Sequence, residues 1–255
     1  MEWATKRKII YAVAAILVIV SFVVYQMRNV LFPAPTCFDK KQNGFESGVD
    51  CGGTCSLRCT ADISIVKVDW SRAIKVSNNT YDFAGMLSNK NINSATMSIS
   101  YVFTAFNKSG EVIKTVTGDT IVLVSGSFPV IKQNIILSEP PAKLLLKLNQ
   151  EPYYATFENP KVAFIRVNNF SYEPGDITRI YIDIANTTRN VYLKLPIRMV
   201  AYDEHDNAIA VGENIIPSLD KEEQKQLVFV WHSPLSVSPT KVRAYPIISP
   251  FSVFR

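Results

Sequence analysis

The chain has 255 residues, of which 47% are hydrophobic and 19% charged. That is enough apolar material for two ordinary domain cores, and it excludes an intrinsically disordered protein. The formal charge of +5 is unevenly placed: residues 1–28 hold Lys6, Arg7, Lys8 and Arg28 against Glu2, a net +3, which leaves only +2 elsewhere and no basic surface for nucleic acid.

The first predicted element is a membrane-spanning helix. Ile9 to Tyr25 run for 17 residues without charge, Gly or Pro, and Val30, Leu31 and Phe32 prolong the run past Arg28, whose long side chain can snorkel to the headgroups. The span is set at 9–32, after a cytoplasmic segment 1–8. A cleaved signal peptide is the alternative, but the run exceeds a usual signal core and no clear small-x-small site follows it. Pro-Ala-Pro-Thr ahead of Cys37 lacks the aliphatic residue that precedes a lipidated cysteine. Because Lys6, Arg7 and Lys8 precede the run, the N-terminus stays inside and everything beyond Tyr25 is expected outside, on a single-pass protein of the cell membrane.

Residues 33–61 form a cysteine-rich linker module. Cys37, Cys51, Cys55 and Cys59 fall within 23 residues, and the rest of the chain has no cysteine. An even count beyond a membrane anchor implies two disulfides, with three connectivities open. Zinc on four thiolates is the competing reading. Gly44, Gly48, Gly52 and Gly53 are expected to supply positive-φ turns. Asp39, Asn43, Glu46 and Asp50 offer closely spaced oxygens, which makes calcium the one cofactor to consider, although such residues also cap turns. The order Cys37, Asp39, Asn43-Gly44, Glu46, Gly48, Asp50-Cys51-Gly52-Gly53, Cys55 resembles a small cysteine-rich motif of prokaryotic surface proteins. The resemblance implies a surface spacer without enzymatic activity.

From Asp62 onward the pattern is that of strands. Met97, Ile99, Tyr101 and Phe103 alternate with polar residues, and Ile180, Ile182 and Ile184 do so again. The segment Ala105–Ile113 lines up with Ala201–Ile209 at an offset of 96, and Leu87-Ser88-Asn89 with Ile184-Ala185-Asn186 at an offset of 97. Two copies of one β module are therefore expected, at 62–150 and 161–255, joined by a linker at 151–160 that Pro152 and Pro160 bracket. Tyr81, Gly85, Asn89, Ala105-Phe106-Asn107 and Gly110, with Asn186 and Ala201-Tyr202-Asp203 in the second copy, resemble the FxLYD-like family of immunoglobulin-like bacterial domains. Both copies have alanine where the family has leucine, and the second lacks the turn glycine. The resemblance implies all-β architecture, two tandem immunoglobulin-like β-sandwiches after one N-terminal transmembrane helix, with a role in contacts and no catalytic residues.

Chemistry is sparse in this sequence. The two histidines, His205 and His232, leave few nucleophile and base pairs, and no metalloprotease, phosphate-loop or nucleophile-elbow motif occurs. Four Asn-x-Ser/Thr sequons, at Asn78, Asn107, Asn169 and Asn186, are read as chance products of an Asn- and Thr-rich β sequence. The expectation is a non-enzymatic, membrane-anchored extracytoplasmic scaffold that binds a protein partner through the hairpin tips, represented by Asn107 and Lys108 in one copy and Asp203 and His205 in the other. Carbohydrate binding through Trp70, Tyr81, Tyr153, Tyr154 and Trp231 is the alternative, and an accessory subunit of an enzyme is a remote one.

Overall fold

The computed structural model describes residues 3–31, 35–55, 59, 64–91, 94–149, 155–156 and 165–248. The chain divides into two units, residues 1–55 and 56–255. The first begins with α1, Trp3–Leu31. Its apolar segment Lys6–Met27 has a mean hydropathy of 2.5, and none of it is buried within the protein. A helix that is hydrophobic all round and unpartnered is a candidate membrane span. The Arg7 guanidinium lies 4.2 Å from the centre of the Trp3 ring, four residues away on the same helical face.

The second unit accounts for most of a chain that is 55% strand. Its strands are β1 (Lys67–Lys75), β2 (Thr80–Asn89), β3 (Ser94–Phe106), β4 (Val112–Val122), β5 (Gly126–Ile136), β6 (Lys143–Asn149), β7 (Ala155–Thr156), β8 (Ile165–Glu173), β9 (Thr178–Asn186), β10 (Tyr192–Tyr202), β11 (Ala208–Leu219), β12 (Gln224–Trp231) and β13 (Lys241–Pro246). They form antiparallel sheets in the orders β1-β2-β5, β4-β3-β6, β12-β9-β8 and β11-β10-β13. Adding seven to each strand number of the first pair of sheets gives the second pair. The duplication seen in the sequence is therefore a duplication of strand order. The expected linker lies outside the described residues, apart from β7, which pairs with Ser94 and Ala95 of β3.

Each pair of sheets shares a core. Phe83 and Leu87 meet Tyr101, Phe103 and Leu146 in the first, with Phe103 edge-on to both Phe83 and Tyr101. Ile180, Ile182 and Ile184 meet Ile197, Met199 and Phe229 in the second. A third cluster joins the two pairs: Ile74, Ala84, Met86 and Ile131, from the outer face of the β1-β2-β5 sheet, pack on Val200, Tyr202, Ala208 and Val211 of β10 and β11. The unit is thus four sheets deep. Its cores also exchange side chains, since Ile247 belongs to the first core and Val76 packs against the second.

Two features fix the copies internally. Asn89 and Asn186 are both about 2% exposed and end equivalent strands. The Asn89 Nδ2 donates to the Leu123 carbonyl at 2.8 Å, and that of Asn186 to the Asp220 carbonyl at 2.8 Å. Each Oδ1 accepts the N–H two residues on, from Asn91 and Thr188. The amide therefore ties the end of a strand in one sheet to the end of β4 or β11 in the other. The second feature is a size exchange. A Cβ at Gly85 would lie 2.4 Å from Leu146 Cδ2, so that Gly makes room for Leu. At the equivalent positions the second copy has Ile182 and Ala244, both of which pack in its core.

Replacing Asn89 or Asn186 by Ala should cost about 1–3 kcal/mol, because a buried carbonyl loses its donor. Denaturant unfolding of the detergent-solubilised chain checks this, and a loss near zero would show that the clamp is dispensable. Gly85→Ala should cost about 1–3 kcal/mol through overpacking. In a Leu146→Ala background the same change should cost distinctly less, a coupling that a double-mutant cycle measures.

Candidate functional site

The cysteine module is held by bonds rather than by burial. Cys37 and Cys55 form one disulfide, Cys51 and Cys59 are likewise disulfide-bonded, and no cysteine is free. The two bridges remove the thiolates that the zinc reading needs. Although Cys37, Glu46 and Cys55 lie together, both sulfurs are committed to the disulfide. Gly44, Gly52 and Gly53 take positive φ as expected, but Gly48 does not; it forms a β-bridge with Cys51, and Lys40 and Asp50 take up the left-handed turns instead.

The four calcium candidates do come together, but as caps. Asp50 Oδ1 accepts the N–H of Asp39 at 2.9 Å, and its Oδ2 that of Lys40 at 2.9 Å. Glu46 Oε2 accepts the N–H groups of Asn43 and Asp50, and Asp39 takes the Lys41 N–H and the Asn43 side-chain amide. These bonds hold the Asp39 carboxyl below its usual range, the Asn43 amide contributing most. A calcium ion needs six to eight oxygens aimed at one point. Here the carboxylates face N–H donors, and Asn43 Oδ1 is the one buried side-chain acceptor left without a partner among the described residues. The network stiffens the small module by hydrogen bonding.

The two hairpin tips are one turn built twice. Asn107 Oδ1 accepts the N–H of Ser109 and Glu111, and Asp203 Oδ1 accepts the N–H of His205 and Asn207, 96 residues later in each case. The fourth position needs positive φ: Gly110 has 83° and Asp206 has 58°. The missing glycine is thus replaced by a residue whose short polar side chain tolerates that conformation. Asn207 and the turn N–H groups hold the Asp203 carboxyl below its usual range, so it stays ionised with both oxygens engaged within the turn. Lys108 and His205 are exposed, and Glu204 lies 3.8 Å from the His205 ring.

The tips differ in their surroundings. The Asn107 amide donates to Glu111 and Glu139 of its own copy. In the second tip, Arg72 of β1 donates to Asn207 Oδ1 at 3.0 Å and to the Ala208 carbonyl at 3.4 Å. This contact borders a cleft of about 790 Å³ between the copies, walled by the end of β1 from Arg72 to Lys75 with Val76 beyond it, by Asp203, Asn207 and Ala208, and by Ser233, Pro234, Ser236 and Val237. The Ser233 hydroxyl donates to the Val76 carbonyl across its floor. Lys75, Ser77 and Ser236 complete the rim. Asp203 therefore lies at the cleft wall, whereas Asn107, Lys108 and His205 do not line it. Sequence reasoning misses Arg72, Lys75 and the serines, because they stand on ordinary strand and loop positions over a hundred residues from their partners.

The aromatic residues considered for sugar stacking are mostly in cores. Tyr81 and Trp231 are each about 6% exposed, Trp70 packs on the cluster between the copies, and Tyr153 and Tyr154 lie outside the described residues. Asn186 is buried, so its sequon is closed to glycosylation, whereas Asn78 is exposed. His232 is exposed at the end of β12. No family model and no curated protein matches this chain.

One acid is buried within β2. Asp82 is 2% exposed, opposite Ile74, and accepts the Asn134 N–H at 2.9 Å at a bulge between β2 and β5. Burial pushes its carboxyl up from 3.8 to about 6, partly offset by the Asn134 and Gln133 hydrogen bonds. A raised folded-state value stabilises the fold fully below the unfolded value, and that stability is lost as pH rises through the folded value. The wild type should lose on the order of 2 kcal/mol between about pH 4 and pH 6. Asp82→Asn, which keeps the acceptor, should flatten this window and unfold at a higher temperature at pH 7. A wild-type curve with no slope there would overturn the assignment.

Proposed function

We propose that the chain is a single-pass membrane scaffold, with a cytoplasmic N-terminus, that holds two immunoglobulin-like β-sandwiches outside the cell to bind another protein. The observation that carries this reading is the joining of an unpartnered apolar helix, Lys6–Met27, to a doubly disulfide-bonded module and then to a β unit locked into one body. Disulfides suit an oxidising, extracytoplasmic side. The cluster Lys6, Arg7, Lys8 before the apolar run favours an inside N-terminus. In each copy the first, second and fifth strands share one sheet and the third, fourth and sixth the other. That distribution supports the immunoglobulin-like reading of each copy and is in line with the FxLYD-like resemblance of Tyr81, Gly85, Asn89 and the Asn107 turn.

The rigid unit suits contact more than turnover. Its cleft presents Arg72 and Lys75 beside serine hydroxyls and backbone edges, and the one carboxylate at its wall, Asp203, is spent on its own turn. Such a surface favours a polar or acidic protein segment.

Protease added to intact cells, with access through any outer layer, should remove a C-terminal tag and spare an N-terminal one. A protected C-terminal tag would reverse the topology. In membranes, photo-crosslinkers at Lys75 and Ser236 should trap a protein, and Lys75→Glu should reduce that yield several-fold without changing the unfolding temperature. Absence of any cross-linked protein, with binding on a glycan array instead, would replace this reading by the carbohydrate one.

A further inference from the structure

The two copies differ at one edge. In the first, the edge strands β1 and β6 are stitched together, the Ser71 hydroxyl donating to the Leu144 carbonyl at 2.9 Å, and Leu144, Leu146 and Leu148 fill the space beneath. The register of β6 and β13 against their shared neighbours puts Val242, Ala244 and Pro246 where those leucines stand. With smaller side chains, β8 and β13 enclose a groove of about 360 Å³. Its lining is mixed, with Ile165, Val167 and Phe170 on β8 and Val242 and Ala244 on β13 beside the polar Asn169, Arg243 and Tyr245.

Both walls are sheet edges. Among the described residues β8 pairs only with β9, and β13 only with β10, so each turns a row of backbone N–H and C=O groups outward. Strand edges beside a trough with both apolar and polar walls suit an added strand, the backbone giving affinity and alternate side chains meeting the trough. Charge selects among such strands. Arg243 is the one charged residue in the lining, Arg166 stands exposed on β8 between Ile165 and Val167, and no carboxylate lines the groove. Lys241, further along β13, is already paired with Asp206 at 2.6 Å.

We propose that the groove between β8 and β13 accepts an extended segment of a partner protein, with apolar and acidic residues in alternation, as an added strand. The proposal rests on the protein-binding reading and gives that partner a chemistry and a site apart from the cleft. It also explains why only the second copy is open, since the first fills the same place with its own leucines.

The probe is a synthetic peptide alternating Val and Glu, added to the full-length chain in lipid nanodiscs, with a Val–Lys peptide as control. Amide exchange in β8 and β13 should slow on the order of tenfold with the Glu peptide, and β1 and β6 should not respond. Arg243→Glu, a surface change, should weaken the Glu peptide about tenfold and favour the Lys peptide. Equal binding of both peptides, protection elsewhere, or edges already protected without peptide would each overturn the proposal. So would concentration-dependent dimerisation that protects the same strands, since a second copy would then be the occupant. A partner trapped at Lys75 with no response at β8 and β13 would overturn this site and leave the scaffold reading intact.

Discussion

The structure depends on one constraint: β2 and β10 are covered on both faces. Every residue from Tyr81 to Leu87 is buried, and Ile197, Met199, Val200, Ala201 and Tyr202 are likewise buried. A strand with one solvated face needs one partner sheet, but these need two. Ala84 and Met86 turn away from the first core, and Val200 and Tyr202 away from the second, so each satisfies the other. Burying Ile74, Met86, Ile131, Val200 and Val211 gives roughly 1.5–3 kcal/mol per side chain, on the order of 10 kcal/mol before costs. For two bodies already tethered in one chain that is ample. The rim adds direction, because Arg198 donates to the Pro129 carbonyl at 2.8 Å while paired with Glu213 at 2.6 Å.

The contact is between unlike sheets, the β1-β2-β5 sheet of one copy meeting the β11-β10-β13 sheet of the other. Unlike surfaces can in principle repeat without end, each copy adding the next. Side-chain chemistry stops this. At the offset of 96, Val200, Tyr202 and Val211 correspond to Thr104, Phe106 and Thr115; at 97, Ala84 and Met86 correspond to Tyr181 and Asp183. Apart from Phe106, the outer sheets thus carry polar groups where the inner ones carry the interface. This is how the end units of a stacked repeat protein stay soluble. The same backbone holds an adhesive face in one copy and a solvated face in the other.

Much of this was legible in the sequence, and for local reasons. The helix announces itself by seventeen uncharged residues, the disulfides by four clustered cysteines, and the hairpins by turn residues whose bonds span only four positions. The seven-residue burial of β2 also left a trace, since Phe83-Ala84-Gly85-Met86-Leu87 has no polar alternation. What could not be read is which face that run covers. The bond from Arg72 to Asn207 joins residues 135 apart, and nothing local to either position marks it. Asp82 was hidden differently: an acid in a strand reads as solvent-facing until the bulge that offers it the Asn134 N–H is known. Gly48 was misread because the turns it was expected to make fall on Lys40 and Asp50, where the carboxylate caps supply the stabilisation that glycine would have made unnecessary.

The two copies also separate what holds a module from what it presents. Their shared residues are backbone anchors: the buried Asn that ties the sheets, and the Asx residue that closes the β3–β4 and β10–β11 turns. Each has bonds that another residue type cannot reproduce, so divergence would cost stability at once. Their differing residues lie on faces and edges, where any polar or apolar choice fits the same strand. Gly85 with Leu146 and Ile182 with Ala244 mark the limit of that freedom, since core volume must be conserved even as the residues change. Where conservation of volume relaxes, at the edge between β8 and β13, the second copy is left with space that its own side chains do not fill. A duplicated fold can keep one copy closed for stability and open the other to a partner.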